Sequence, residues 1–264
     1  MISADVSFEA FELLHHFCGI KKEQVLAGQG ELSEETLPGL WAAVSRRAEG
    51  YPLQYLLGEW EFYGRPFTVG PGVLIPRADT ETLIESVLSW ACKKRGIRMA
   101  DLCSGSGCIA VTLWHELNGA KVSAVENSPA ALSYLRENIR RNHADVEVWE
   151  DDACLPSCPL QELDLVTANP PYLSEKDMSA LQKEVSFEPE EALAGGRDGL
   201  DYYRRLTCVW KERICPGGRL FYEVGLEQAD SVIKIMEQNG FGNICTEKDL
   251  CGIIRVVFGE RLPE

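Results

Sequence analysis

The sequence predicts an α/β protein: a doubly wound, mainly parallel sheet with an antiparallel edge hairpin, preceded by a small helical N-terminal domain. Beyond Pro76, short apolar segments alternate with amphipathic segments of about ten to fifteen residues. Before Gly50, apolar residues recur at spacings of three and four. The last two apolar segments are separated only by residues 249–252, a connection short enough for antiparallel pairing.

The segment before Gly50 has the periodicity of amphipathic helices. Ser33 and Thr36 stand where a second helix should begin, because hydroxyl side chains favour helix N-termini. We predict a helical domain over residues 1–58. Its periodic apolar residues are Phe8, Phe11, Leu14, Leu37, Leu40, Trp41 and Val44.

Residues 59–76 have the composition of a linking hairpin. Two short aromatic segments, 60–63 and 67–69, flank a turn signal at residues 64–66. We therefore place the domain boundary within 59–76 and a second domain over residues 77–264.

The second domain alternates strands and helices, which implies right-handed crossovers and helices on both faces of the sheet. Ligands of such sheets bind outside the carboxyl ends of the strands, so we expect chemistry after the first, second and fourth strands. The predicted helices are 80–94, 107–117, 129–142, 200–214 and 227–239. The predicted strands are 99–102, 121–125, 146–149, 163–168, 219–224 and 253–258, the last pairing with 241–248.

The first strand ends in a Gly/Ser loop, Cys103-Ser104-Gly105-Ser106-Gly107. Alone this is weak evidence, because Gly/Ser pairs are common in turns. Glu126, nineteen residues after Gly107, ends the second strand, where a carboxylate can accept hydrogen bonds from ribose hydroxyls. The third glycine of a dinucleotide-binding motif is absent, because Ala110, followed by Val111, stands in its place. The pattern favours a mononucleoside cofactor such as S-adenosylmethionine, the alternative for Glu126 being a solvated strand end.

The most specific feature is Asn169-Pro170-Pro171-Tyr172, which follows the fourth strand. Consecutive prolines stiffen the turn and leave its carbonyls free to accept. If the Asn169 side-chain oxygen and the Pro170 carbonyl accept the hydrogens of a planar NH2 group, its nitrogen is aimed at the methyl carbon. Tyr172 would supply an aromatic wall near the sulfonium. The alternative interpretation is a purely structural Pro-Pro turn.

These motifs resemble the HemK/PrmC glutamine methyltransferases. Three further segments are similar to that family: residues 58–63, 74–81 and 187–203. The resemblance implies a Rossmann-like class I methyltransferase that uses S-adenosylmethionine to methylate the glutamine of a Gly-Gly-Gln motif in a class-1 peptide-chain release factor. A protein substrate requires a wide interface, so residues 1–58 would form the docking domain.

The resemblance also assigns roles to individual residues. All four residues of the Asn169–Tyr172 turn, including Pro171, would hold the substrate amide. Related sequences often have Gly at 103, Thr at 104, Pro at 78 and Asp at 126, and some have an aromatic residue beside the adenine, where Asp151 is an alternative contact. The implied cofactor contacts are Cys103, Ser104, Gly105, Ser106, Gly107, Glu126, Asp152, Ala153 and Asn169.

Composition restricts the partners and the compartment. A net charge of -15 disfavours binding to a phosphate backbone, and no stretch is apolar enough to span a membrane. The ten cysteines form no C-x-x-C pair, and the four histidines have no zinc-ligand spacing, so we expect no metal. We expect a cytoplasmic enzyme. The alternatives are an adenine-N6 nucleic-acid methyltransferase, a glutamine methyltransferase acting on a ribosomal protein, and a non-catalytic binding module.

Three charged features have competing interpretations. Arg77 and Glu81 could form an i,i+4 ion pair or brace the cofactor pocket. The acidic residues of the long 173–199 connection are expected to be solvated rather than to bind a basic partner. That connection is a candidate lid, because long loops at an active edge often close over substrate. The acidic residues are Glu184, Glu188, Glu190 and Glu191.

Overall fold

The computed structural model describes residues 6–263, beginning with a small helical unit. Leu13, Leu40 and Leu53 belong to its core, whereas Trp41 is 63% exposed. The backbone N–H of Thr36 donates to the Ser33 hydroxyl at 3.3 Å, just before α3, as the sequence suggested. The helices are α1 (Val6–Cys18), α2 (Lys22–Leu26), α3 (Leu37–Ala48) and α4 (Leu53–Leu57).

A two-stranded hairpin follows, formed by β1 (Glu59–Phe62) and β2 (Arg65–Thr68). The predicted turn at 64–66 is wrong, because the turn begins one residue earlier and ends two residues earlier. The turn residues are Tyr63 and Gly64, with φ of 50° and 70°, because two consecutive positive φ values match the twist of the flanking strands.

The second unit is a seven-stranded sheet with the order β5-β4-β3-β6-β7-β9-β8. The first five strands are parallel, while β9 pairs antiparallel with both β7 and β8, which confirms the predicted fold class. The strands are β3 (Arg98–Leu102), β4 (Lys121–Glu126), β5 (Val146–Glu150), β6 (Leu163–Ala168), β7 (Ile214–Glu223), β8 (Phe241–Lys248) and β9 (Ile254–Arg261).

Helices cover both faces of this sheet. They are α5 (Glu81–Ala91), α6 (Cys108–Glu116), α7 (Pro129–Arg141), α9 (Asp201–Trp210) and α10 (Ala229–Gln238), whereas the short α8 (Glu175–Met178) lies in the connection that follows β6. Alternate residues of β7 enter two cores, since Phe221 joins the cluster with α5 to α7 and Tyr222 joins the cluster with α9 and α10. Phe221 also stacks on Phe258 of β9 at 4.6 Å between ring centroids. These cores hold the strand ends in a fixed arrangement.

One element boundary differs notably from prediction. β7 begins at Ile214 rather than at 219, and α9 ends at Trp210 rather than at 214. Leu163 of β6 pairs with Ile214, and the register shifts before Leu165 pairs with Arg219, so an irregular segment is accommodated inside the strand. Such long-range pairing leaves no periodic signal in the sequence.

Candidate active site

A cleft opens where the carboxyl ends of β3, β4 and β6 meet. β3 lies between β4 and β6, so the chain changes direction across the sheet at this position, where doubly wound folds bind ligands. The cleft is open to solvent and contains about 1000 Å³ of empty space, the adjoining solvent included. The predicted site residues that line it are Cys103, Ser104, Gly105, Ser106, Glu126, Asp152, Ala153, Asn169 and Pro171.

The loop after β3 has a backbone that glycine makes possible. Gly105 and Gly107 have φ of 54° and 80°, in the left-handed region. A Cβ on Gly107 would lie 2.5 Å from Cδ1 of Leu135, so this glycine also permits close packing against α7. Gly107 is therefore placed at the start of α6, behind the residues that line the cleft.

Glu126 organises the loop through three backbone hydrogen bonds. Its Oε2 accepts from Gly105 N at 2.8 Å, and its Oε1 accepts from Asn127 N and Ser128 N at 2.9 and 2.8 Å. A carboxylate has about four lone-pair positions, so an acceptor position remains for a ligand hydroxyl. The residue is 7% exposed and lies at the wall of the cleft.

Asp101 lies fully buried beneath the same loop. Thr167 Oγ1 donates to its Oδ1 at 2.7 Å, while its Oδ2 has no hydrogen-bond partner in the described part of the chain. Burial raises the pKa of this carboxyl to about 7. Its neighbour Ser104 adds rigidity, since Ser104 Oγ donates to the Asp101 carbonyl at 2.8 Å.

The segment after β5 forms the far wall of the cleft. Asp152 Oδ1 accepts from Cys154 N at 2.8 Å, and the Ala153 carbonyl accepts from Trp210 Nε1 at 2.8 Å. The alternative contact, Asp151, also lines the cleft, but its carboxylate closes a turn by accepting from Ser157 N at 2.7 Å.

The Asn-Pro-Pro-Tyr turn meets the cleft from β6. Asn169 and Pro171 line it, and Asn169 Nδ2 donates to Thr80 Oγ1 at 3.4 Å. Pro170 is buried and Tyr172 packs behind the turn, so neither is among the described residues that line the cleft. The Tyr172 carbonyl accepts from Gln228 Nε2 at 2.8 Å, which anchors the turn to the start of α10.

Comparison with known proteins agrees with this arrangement. A family model described as the methyltransferase small domain matches residues 79–196, and one described as the PrmC N-terminal domain matches residues 3–58. The release factor glutamine methyltransferase of Geobacter sulfurreducens is 43% identical over 229 residues, or 86% of this chain and 80% of that protein. The chain belongs to the release factor glutamine methyltransferase family.

Another relative supports this membership. The release factor glutamine methyltransferase of Koribacter versatilis is 42% identical over 83% of this chain and 78% of its own length. A methyltransferase structure from Pyrococcus furiosus superimposes with a TM-score of 0.56 at 13% identity, over 88% of this chain and 100% of that one, and shows the fold alone.

In this family member, Arg77 does not pair with Glu81. Arg77 bonds instead to Glu188, whose side chain is fully buried and whose Oε2 accepts from Ile75 N at 3.1 Å. Glu81 accepts from Tyr63 N at 3.0 Å. The ion-pair interpretation is wrong because the Arg77 side chain lines the cleft and contacts the 173–199 connection, whereas Glu81 faces the hairpin.

The acidic residues of that connection are only partly solvated, which corrects the sequence prediction. Glu188 is buried, and burial raises the pKa of its carboxyl. Glu184 bonds to Arg47 of α3 at 3.2 Å, and Glu191 accepts from Ser128 Oγ at 2.6 Å. Glu190 is exposed, as predicted. The connection therefore joins the helical unit to the cleft of this family member.

Two site residues were not recognised from the sequence. Tyr202, on α9, lines the cleft near Cys103 and Asp152 and provides the aromatic side chain that the 151–153 segment lacks. Burial raises the pKa of its hydroxyl to about 12. Glu223 ends β7 beside Asn169. The sequence signal for Tyr202 is its position within the 187–203 segment, which resembles the glutamine methyltransferase family.

No helix in residues 6–263 is long and apolar enough to cross a membrane. Within the same residues, no three His, Cys, Asp or Glu side chains are grouped to hold a metal ion.

Proposed function

We propose that this protein transfers a methyl group from S-adenosylmethionine to the side-chain N5 atom of the glutamine in the Gly-Gly-Gln motif of a class-1 peptide-chain release factor. The observation that carries the proposal is that Asn169 opens into the same cleft as Ser104, Gly105 and Glu126. Membership of the release factor glutamine methyltransferase family supports it independently.

The cleft residues fit a nucleoside cofactor. Glu126 has an acceptor position left for ribose hydroxyls, and the 103–107 loop lets the ligand approach the backbone closely. Asp152 and Ala153 would lie along the adenine, with Tyr202 as its aromatic neighbour. The cofactor supplies an electrophilic methyl group on a sulfonium.

The residues of the turn would orient the substrate. An amide nitrogen is a poor nucleophile because its lone pair is delocalised into the carbonyl. The Asn169 side-chain oxygen and the Pro170 carbonyl would each accept one N–H, which aims the nitrogen at the methyl carbon. These oxygens also stabilise the positive charge that develops on the nitrogen. The partly buried Tyr172 ring, packed against Gly225, would keep the turn in place rather than contact the amide.

Recognition of a protein substrate requires surface outside the cleft. The helical unit exposes Leu26, Leu32 and Trp41, side chains suited to burial in an interface. Residues 1–58 would therefore dock the release factor. The 173–199 connection would act as a lid, because Arg77 and Arg47 tie it to the cleft and to the helical unit.

An adenine-N6 methyltransferase would use the same turn, but a net charge of -15 opposes binding to a phosphate backbone. A ribosomal protein substrate is disfavoured by the 74–81 segment, which resembles the release factor enzymes. We propose a cytoplasmic reaction without nucleic acid, membrane or metal partners, since release factors act in translation.

Labelled methyl donor tests the proposal. The purified protein is incubated with a release factor, with the Gln-to-Ala variant of its Gly-Gly-Gln motif, with ribosomal proteins or with duplex DNA. We expect label only in the unaltered release factor. Label that survives loss of the glutamine, or that enters DNA or a ribosomal protein, contradicts the proposal. Asn169→Ala should abolish transfer while calorimetry shows cofactor binding retained, which separates orientation of the amide from binding.

A further inference from the structure

A buried carboxylate lies directly behind the amide-binding turn. Glu223 is the last residue of β7, and the pairing of Ala168 with Tyr222 in the parallel strands β6 and β7 makes it the neighbour of Asn169. The residue is 2% exposed, and its Oε2 has no hydrogen-bond partner within residues 6–263. An unpaired buried carboxylate oxygen is costly, so its retention points to a role.

Glu223, Thr80 and Asn169 lie close together. The electrostatic interaction of the Glu223 carboxyl with Thr80 and Asn169 favours its charged form. Asn169 Nδ2 also donates to Thr80 Oγ1 at 3.4 Å. A side-chain amide has two N–H donors on one atom and lone pairs on the other. With Nδ2 directed to Thr80, the Asn169 amide would keep its nitrogen inside and turn its oxygen toward the cleft.

We propose that Glu223 is a positioning residue whose carboxylate, together with the Thr80 hydroxyl, fixes the Asn169 amide so that its oxygen faces the substrate NH2. This inference rests on the proposed glutamine N-methylation. The shapes of the two amide orientations are nearly identical, so only neighbouring hydrogen-bond partners can select one. A reversed amide would present N–H groups to the N–H groups of the substrate and could not orient its nitrogen for transfer.

The orientation of the Asn169 amide should depend on the protonation state of Glu223. A protonated Glu223 could donate to the Asn169 oxygen and stabilise the reversed orientation. Burial raises the pKa of Glu223 to about 7, with Thr80 and Arg255 opposing the rise and Asp79 adding to it. The other titratable groups that interact with this carboxyl are Cys108 of α6, Tyr172 after β6 and Tyr203 of α9. The rate of transfer should therefore rise as the pH passes through about 7.

The kinetic test compares Glu223→Gln with wild type across about pH 6 to 8.5. We expect kcat to fall about tenfold to a hundredfold at pH 8, with KM for the release factor and the affinity for cofactor unchanged. The fall in kcat that wild type shows below about pH 7 should be absent in Glu223→Gln. Thr80→Val should also lower kcat, and Thr80→Ser should restore it. Glu260→Gln, in β9 where it pairs with Arg219 of β7, should behave as wild type.

Wild-type kcat at pH 8, or an unchanged fall in kcat at acidic pH, in a folded Glu223→Gln protein would overturn the inference. Folding is checked by thermal unfolding, where the midpoint at pH 8 should equal or exceed that of wild type because a buried charge whose Oε2 has no hydrogen-bond partner within residues 6–263 is removed.

A second readout does not depend on activity. The side-chain NH2 signals of Asn169, assigned by their loss in Asn169→Asp, should titrate near pH 7 in protein labelled with ¹⁵N-asparagine. They should be independent of pH in Glu223→Gln. Titration that persists in this variant refutes the inference. Failure of wild type to methylate the release factor, with this titration intact, refutes the proposed function and leaves the coupling of Glu223 to Asn169 standing.

Discussion

The cleft loop depends on the negative charge of Glu126, so Glu126→Gln is a sharp perturbation. The substitution preserves shape but replaces one acceptor oxygen by an NH2 donor. The wild-type carboxylate accepts from Asn127 and Ser128 through one oxygen, at 2.9 and 2.8 Å, and from Gly105 through the other, at 2.8 Å. A glutamine can satisfy only one of these two sides.

The expected loss of cofactor affinity follows from the more favourable of the two orientations of the glutamine amide. With its oxygen toward Asn127 and Ser128, the glutamine keeps two hydrogen bonds and sets its NH2 against the Gly105 N–H. One charge-assisted hydrogen bond, worth about 1.5–3 kcal/mol, is lost and two donors face each other. The loop must shift away from its ligand-binding position. We expect the dissociation constant for S-adenosylhomocysteine to rise about tenfold to a hundredfold.

Isothermal titration calorimetry of S-adenosylhomocysteine binding measures this effect. Glu126→Asp is the matched comparison, because it keeps the charge on a shorter side chain and should bind more tightly than Glu126→Gln. A Glu126→Gln protein with wild-type affinity and unchanged thermal stability would refute the assignment of Glu126 as the organiser of the loop.

Further changes test the packing and the buried charges. Gly107→Ala should destabilise the protein by more than about 1–2 kcal/mol, since it combines a positive φ with a contact to Leu135; urea denaturation measures it, and wild-type stability contradicts it. Arg77→Met should cost about 2–3 kcal/mol by leaving Glu188 buried without its partner, and adding Glu188→Leu should recover most of the loss in the same assay. Asp101 has a folded-state pKa raised to about 7, so its contribution to stability falls as pH rises from about 4 to 7. Asp101→Asn should flatten that pH dependence of the urea midpoint, and an unchanged slope would show that another group causes it.

Local sequence determined most of the fold. Apolar segments bounded by Gly and Pro located the strands, and 163–168 and 241–248 coincide with β6 and β8. The helix boundaries were within a few residues because helical periodicity and end signals are local properties. The predicted turn of the first hairpin, 64–66, missed Tyr63, since a positive φ at this residue depends on how the strands twist and pair.

In the candidate site, too, some features could be predicted from local sequence and others depend on the tertiary structure. The 103–107 loop and the Asn169–Tyr172 turn are contiguous motifs, so their chemistry could be predicted from residue type and spacing alone. That both face one cleft depends on β3 and β6 being neighbours, a fact of strand order.

Only the tertiary structure decided which charged groups meet. Arg77 bonds to Glu188, 111 residues away, rather than to its helical neighbour Glu81. Glu223 lies behind Asn169 because β6 and β7 pair in parallel, and Tyr202 reaches the cleft because α9 packs over its edge. Sequence patterns record local preference and burial, whereas these contacts arise from chain segments brought together by the shared core.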